Sequence, residues 1–412
     1  MFLELIPLNQ QSHQSEKNTL NIGIVEVRRH PAVLYTFCKI CNTSDTMVTV
    51  FTTPDLFARL KTWLDDTEQF TFIIKKNKQS LRSFLQEAES YCETQLDAVF
   101  VNTIHETWYD LFHFSGFNPH ISKILTVHHV NAWFHPKNHT GQINLIRLLI
   151  NRIMKPSMEK IIQHYDAINV IYPPLKDYIK NETTYQKPVF TLPSAVFEEK
   201  NLKKKENDSS KTLTLTIPGL VQKHRKDFNT ALMALQSIPK TYLEKMKLIL
   251  LGTAFDNHGK KIMKQFQDLK TYGLTVETFD EFIDDETFYT TIQHSDILFL
   301  PIKIYTQSDN KISEIYGKSV GSGVIYDAIK YAKPVILPKS FVLFPQFKNA
   351  SISYDSVESL QKIIIECIEN PAMIRKKQQE ALTSAKAFSL QKFQQYFENT
   401  IIPWIQKQKH DF

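Results

Sequence analysis

The chain alternates short apolar, β-branched runs with longer amphipathic stretches, the pattern of parallel sheets flanked by helices. In the first half, strands are predicted at Leu20–Val27, Thr46–Thr52, Thr71–Lys75, Ala98–Asn102, Ile124–His128, Ala167–Tyr172 and Pro188–Leu192. Helices are predicted between them at His30–Ile40, Pro54–Trp63, Ser80–Thr94 and Ile143–Asp166, the last interrupted near Pro156. A polar stretch follows, Glu198–Lys211, with the run Lys203 to Ser210 and few apolar residues. It reads as a linker. The alternation then resumes. Strands are predicted at Leu213–Ile217, Leu248–Leu251, Val276–Phe279, Ile297–Pro301 and Pro334–Leu337. Helices are predicted at Phe228–Gln236, His258–Lys270, Asp284–His294, Ser322–Tyr331 and Ser356–Asn370. At the end, Phe393, Phe397, Ile401, Trp404 and Ile405 share one face of a helix over Leu390–Gln408.

The expected architecture is α/β, with two Rossmann-like, doubly wound domains facing a cleft. Residues 1–197 form the first domain, 198–211 the linker and 212–388 the second domain. Residues 389–412 form a helix packing on one domain or across the hinge. Open parallel sheets bind ligands at the C-terminal ends of their strands, which here line the cleft.

Composition narrows the function classes. A length of 412 residues suits two α/β domains, and 42% apolar with 22% charged residues is ordinary for a globular chain. The net charge of +6 suits anionic substrates or an anionic surface, and no nucleic-acid motif accompanies it. No apolar run is long enough to span a bilayer, and the N-terminus lacks the pattern of a secretion signal. The expected location is therefore the cytoplasm. Cys38, Cys41, Cys92 and Cys367 are too few for a disulfide scaffold. Cys38 and Cys41 form a CxxC without a second ligand pair, so they read as buried helix thiols.

The chemistry concentrates in Glu314–Pro338. Gly321-Ser322-Gly323 opens a helix, where free backbone N–H groups and the helix dipole favour a diphosphate. Ser322 is placed to cap that helix and to donate to a phosphate. The alternative is an ordinary glycine turn. In Thr216–Phe228, a strand and the turn at Gly219 are followed by Arg225 and Lys226, two cations that suit two phosphates. In the first half, Ile124–Phe134 ends a strand in His128-His129 and continues to Asn131 and Trp133, groups suited to stacking and hydrogen bonding with sugar. Adjacent strand residues face opposite ways, so the two histidines do not make one metal site. His30, preceded by Arg28 and Arg29, is a further candidate on that edge, as an acceptor contact or a capping residue. His105 and Glu106 follow the Ala98–Asn102 strand.

The stretch from Glu314 through Asp327-Ala328 to Pro334-Val335-Ile336 resembles the nucleotide-sugar signature of GT-B glycosyltransferases of the family 4 type. Its two acids stand thirteen positions apart, a longer interval than in the family, and the second is Asp rather than Glu. The resemblance implies a glycosyltransferase of the hexosyl type that uses a nucleotide diphosphate sugar in polysaccharide or glycoconjugate synthesis. The second domain would hold the donor, and the first a glycan or lipid-linked acceptor. It places Glu314 near the donor sugar, Asp327 on the ribose, Gly219, Arg225 and Lys226 at the diphosphate, and Phe282 beside the base. It also places His128 near donor and acceptor. An inverting enzyme needs a base on the acceptor hydroxyl, for which His30 or His128 would serve; a retaining one does not. No cofactor or metal is expected, since no DxD-type acidic pair ends a strand. If the acceptor is lipid-linked, the basic helix Ile143–Asp166 would meet a membrane peripherally. A nucleotide-sugar epimerase of the same shape and a non-enzymatic nucleotide- or sugar-binding protein are the alternatives.

Overall fold

The structure, a computed structural model, describes residues 19–135, 145–202, 212–308 and 311–409. The first sheet contains β1 (Leu20–Val25), β2 (Thr46–Thr52), β3 (Phe70–Ile74), β4 (Ala98–Val101), β5 (Ser122–Val127), β6 (Ala167–Val170) and β7 (Val189–Phe190). The strands lie in the order β3-β2-β1-β4-β5-β6-β7 and pair in parallel. The second begins with β8 (Leu213–Pro218), β9 (Met246–Leu251), β10 (Thr275–Thr278) and β11 (Ile297–Phe299). A hairpin of β12 (Tyr305–Gln307) and β13 (Ser313–Ile315) intervenes before β14 (Val335–Pro338) and β15 (Ser351–Tyr354). The second sheet is ordered β10-β9-β8-β11-β14-β15, also parallel. Strand order reverses between β1 and β4 and between β8 and β11, the switch points where open sheets leave a crevice.

Every expected strand forms; the inner strands β4, β5, β6 and β11 are buried throughout between flanking helices, whereas the edge strands β3 and β10 are only partly covered. The hairpin and β15 were not anticipated. They read Tyr-Thr-Gln, Ser-Glu-Ile and Ser-Ile-Ser-Tyr, too short and too polar to stand out. The helix expected over Leu390–Gln408 forms without interruption, with a π turn at Phe397–Ile401 between Leu390–Tyr396 and Ile402–Gln408. Pro403 explains the π turn, since it has no N–H to donate and its ring needs extra room in the preceding turn. Phe397, Ile401 and Ile405 are buried with Phe37 and Phe100 of the first domain. The chain thus returns from the second sheet to close the core of the first.

The two domains also meet over an apolar interface. Trp133 and Tyr172 share one core cluster with Val320, Tyr326, Phe341 and Phe344. The Tyr172 hydroxyl donates to the Val342 carbonyl at 2.7 Å, and the Tyr326 hydroxyl donates to the Ile171 carbonyl. Cys38 and Cys41 are buried in the helix Pro31–Cys41, and burial pushes both thiols up.

The basic helix expected over Ile143–Asp166 spans Leu145–His164 and contains Pro156. Its Met154, Met158 and Ile161 are buried against the first domain. Ile143 and the side chains of Leu145, Arg147, Leu148, Leu149, Ile150 and Ile153 lie outside the described residues, as does the polar run Lys203–Ser210. Among the described residues, no helix is long and apolar enough to cross a membrane.

Candidate active site

On the first sheet, the ends of β1, β4 and β5 bring together Glu26, His30, Thr103, Glu106, His128 and His129. Glu26 is fully buried, and burial lifts its carboxyl to about 7 despite bonds from Thr103 and the Arg28 backbone. The Thr103 hydroxyl donates to Glu26 Oε2 at 2.5 Å and lies 3.4 Å from His128 Nε2. His128 Nε2 is 2.9 Å from the Asn102 carbonyl. A carbonyl only accepts, so Nε2 carries the proton and Nδ1 keeps its lone pair. Burial lowers the His128 pKa to about 4, so the ring is neutral near pH 7. His30 stacks on it with ring centroids 4.8 Å apart. Desolvation, then the neighbouring imidazoles and Arg225, hold His30 below the usual imidazole range.

His129 behaves differently. Its Nδ1 lies 3.0 Å from Glu106 Oε1, and the carboxylate is nearly buried. Burial opposes a charge on the ring, but Glu106, and Glu314 after it, raise the pKa. The pairing puts a proton on Nδ1 and leaves Nε2 to gain or hold another. A carboxylate orienting a histidine in this way is a common arrangement for acid–base work.

On the second sheet, Gly219 follows β8 with φ +86°, a left-handed conformation that glycine adopts freely. The two cations beyond it part ways. Arg225 is exposed in the cleft, and its charge reaches His30, His129 and Tyr316. Lys226 is not a mobile surface charge. It is buried, and its ammonium donates to the carbonyls of Gly219 at 2.5 Å and Leu220 at 3.1 Å. Desolvation, with Arg225 beside it, lowers its pKa to about 7.

The glycine turn lies opposite. The helix it opens runs Gly323–Lys330 with Ser322 at the cap position. Ser322 makes no capping bond from its side chain, which corrects the expected Ser cap. The first N–H groups therefore have no side-chain acceptor from Ser322. A Cβ at Gly323 would meet nothing within 4 Å, so open space lies beside the first residue of the helix. Gly321 is a glycine for another reason, because a Cβ there would lie 2.9 Å from Tyr172 Cβ. Val324 of the same first turn lies 3.9 Å from a Cβ built on Gly219, which joins the two halves of this cradle. The cradle also touches the first domain, where His129 bridges to Val320 and the Val130 N–H donates to the Ser319 carbonyl at 2.8 Å.

Three expected contacts are elsewhere. Glu314, which the resemblance places near the donor sugar, is held by the backbone of the first domain. It lies on β13, fully buried, and accepts from the backbone N–H groups of Ala132 at 2.9 Å and Asn131 at 3.4 Å. It therefore joins the domains, and burial lifts its carboxyl to about 7. Asn131 does not sit open at the cleft edge. Its amide donates to the Ser313 carbonyl at 2.9 Å and accepts from the Tyr178 hydroxyl at 3.0 Å. Trp133 is buried in the core rather than offered to a sugar, because its short helix Val130–Phe134 turns it inward.

Asp327 is half-buried beside Tyr289, Tyr331 and Lys330, and burial raises its carboxyl to about 7. Phe282 is 75% exposed in the turn after β10, free of the core. A separate hollow of about 830 Å³ opens over the ends of β11, β14 and β15, lined by Lys303, Tyr305, Lys339 and Tyr354. The imidazoles, Arg225 and the glycine turn lie outside it.

Sequence reasoning undervalued Glu26 and the Glu106–His129 pair. An acid inside the apolar run Leu20–Val27 was the available signal for Glu26. Nothing local pairs Glu106 with His129, which stand on neighbouring strand ends 23 residues apart.

No family model matches the sequence, and a search of the curated proteins finds no match. Solved structures do resemble it in fold. Sucrose-phosphate synthase from Thermosynechococcus elongatus aligns over 94% of this chain and 100% of its own, at 14% identity and a TM-score of 0.63. Anabaena HepE, in complex with UDP and glucose, covers 93% of this chain and 99% of its own, at 12% identity and a TM-score of 0.60. The catalytic domain of starch synthase IV from Arabidopsis thaliana, bound to ADP and acarbose, covers 94% and 100%, at 10% identity and a TM-score of 0.58. What the chain shares with these glycosyltransferases is the GT-B fold, two parallel-sheet α/β domains facing a cleft.

Proposed function

We propose that the chain is a glycosyltransferase, family 4-like, that moves a hexosyl group from a nucleotide diphosphate sugar to a glycan or lipid-linked acceptor in the cytoplasm. The observation that carries this reading is the open space beside Gly323 at a helix N-terminus whose first turn, at Val324, meets the Gly219 turn that leads to the exposed Arg225. Fixed backbone donors and a guanidinium on two sides suit a diphosphate, whose charge grows as the sugar–phosphate bond breaks. Groups placed in advance for that charge stabilise the transition state more than the ground state.

Gly219 lets the chain pass close to the phosphates, and Lys226 forms the floor behind them. Gly321 and Ser322 contribute backbone to the cradle, while Ser322 keeps a hydroxyl for a phosphate oxygen. On the other wall, the neutral ring of His128, stacked on His30, borders the space for donor sugar and acceptor hydroxyl. Glu106 and His129 add a proton-handling pair beside the cradle. Asp327 and Phe282 remain the proposed ribose and base contacts, on the resemblance. Glu314 acts indirectly, by holding the helix of Asn131 and Ala132 against the donor domain.

The test begins with thermal stabilisation by UDP, GDP and ADP and their sugars, followed by an assay for released nucleotide in the presence of glycan acceptors. Stabilisation and acceptor-dependent release support transfer. Stabilisation without release would indicate a binding protein, and interconversion of sugars without acceptor an epimerase; either would overturn the reading.

A further inference from the structure

The short helix Trp108–Phe114 follows the end of β4 on the cleft side of the first sheet. A surface helix normally turns polar residues to water. This one does not. Trp108 is 48%, Tyr109 37% and Phe112 53% exposed. At helical spacing the three fall within an arc of about 100°. His113 extends the face, with its ring centroid 4.5 Å from that of Tyr109. The opposite face is satisfied: Leu111 and Phe114 are buried, and the helix's one acid, Asp110, is buried in a bidentate pair with Arg28. The fold therefore holds the aromatic face outward, with no carboxylate of its own exposed on it.

Basic side chains stand around the face. Arg82, exposed at the start of the helix Leu81–Gln95, is near enough to lower the His113 pKa after desolvation has done so. The helix Leu145–His164 packs against Trp108–Phe114 and exposes Arg152, along with Lys155, which pairs with Glu159 at 3.5 Å. Arg29 is exposed on the loop that Arg28 ties to Asp110. Amphipathic rings such as Trp and Tyr prefer the boundary between water and acyl chains, and surrounding Arg and Lys meet lipid phosphates.

We propose that this face docks on a bilayer surface rich in anionic lipid, with Trp108 and Phe112 entering the interface and the nearby basic side chains meeting headgroups. Docked this way, the first domain brings its wall of the cleft to the membrane edge. The exposed Arg29, Arg82 and Arg152 select an anionic lipid surface over a neutral glycan.

Co-sedimentation of the full chain with vesicles tests this without donor or acceptor, so it does not depend on the transferase reading. The vesicles are phosphatidylcholine alone or an equimolar mixture with phosphatidylglycerol. Binding to the mixed vesicles, weakened by salt, is expected. Trp108→Ser with Phe112→Ser should reduce it at least about tenfold, from the lost apolar burial of two rings, with an unchanged melting temperature. Arg82→Glu with Arg152→Glu should remove the preference for anionic vesicles. Absence of binding, equal binding to both vesicles, or parental binding by the Trp108/Phe112 variant would overturn the proposal. So would quenching of Trp108 fluorescence by maltoheptaose or chitohexaose but not by vesicles, which would make the face a saccharide platform.

Discussion

Arg225 and Lys226 are neighbours with opposite environments, and that difference sets the charge of the donor site. Arg225 is exposed in the open cleft. Lys226 is buried, with a pKa lowered to about 7. A bound diphosphate favours the ammonium and raises that value, so nucleotide binding should take up a proton when the free amine is partly neutral. Affinity should therefore fall as pH rises above about 7, by up to about tenfold per unit, until the bound-state pKa is reached. Calorimetry at pH 8 in buffers of different ionisation heats reads this directly. Proton uptake that disappears in Lys226→Met is the expected result; no uptake in the parent would contradict it. With Arg225 and the helix end supplying positive potential, turnover should persist in excess EDTA, and strict dependence on added manganese or magnesium would refute that expectation. The adjacency of the two cations was plain in the sequence. Their separation was not, because burial of Lys226 depends on the carbonyls of a glycine turn six and seven residues earlier.

At the scale of elements, the hairpin β12–β13 acts as a clasp. It carries Glu314 to the start of the helix Val130–Phe134, where the carboxylate accepts from two backbone N–H groups. Glu314→Ala leaves those donors without this acceptor and should lower stability by roughly 1–3 kcal/mol, read as a lower melting temperature. Glu314→Gln tests the charge. The carboxyl's raised pKa favours its neutral form in the folded state, and that contribution is fully present below its ordinary value of 4.5 and is lost as pH rises through about 7. The melting temperature of Glu314→Gln should therefore gain on the parent between these pH values; parallel curves would show that Glu314 is not titrating there. The inner parallel strands were legible because their apolar runs are buried on both faces. The clasp was hidden because its partner backbone lies 182 residues earlier, and Glu314 resembled a donor-site acid at the sequence level.

Across the whole molecule, the chain crosses to the second sheet and returns, so its last helices complete the first domain. Phe397 packs on Phe100 and Trp404 on Phe190. A chain ending at Ser389 should therefore lose its cooperative melting transition and bind a hydrophobic dye, although both sheets remain encoded. A normal transition in that shortened chain would contradict this dependence. The apolar seam through Tyr172, Tyr326 and Phe344 joins the domains in a single core cluster. Domains joined by an apolar interface of this kind move less freely than domains with a polar contact. The five spaced apolar residues of the last helix were readable from sequence, but the surface they cover required the three-dimensional path of the chain.

The diphosphate cradle is the central claim, and calorimetric titration of nucleoside diphosphates against the parent, Arg225→Ala and Gly323→Val tests it most directly. Arg225 is exposed, and a side chain at Gly323 would enter open space. Both variants should therefore fold and melt as the parent does. Losing the Arg225 contact should weaken diphosphate binding at least about tenfold and affect the monophosphate less, while Gly323→Val should abolish diphosphate binding. Parental affinity for UDP, GDP and ADP in both folded variants would contradict the account.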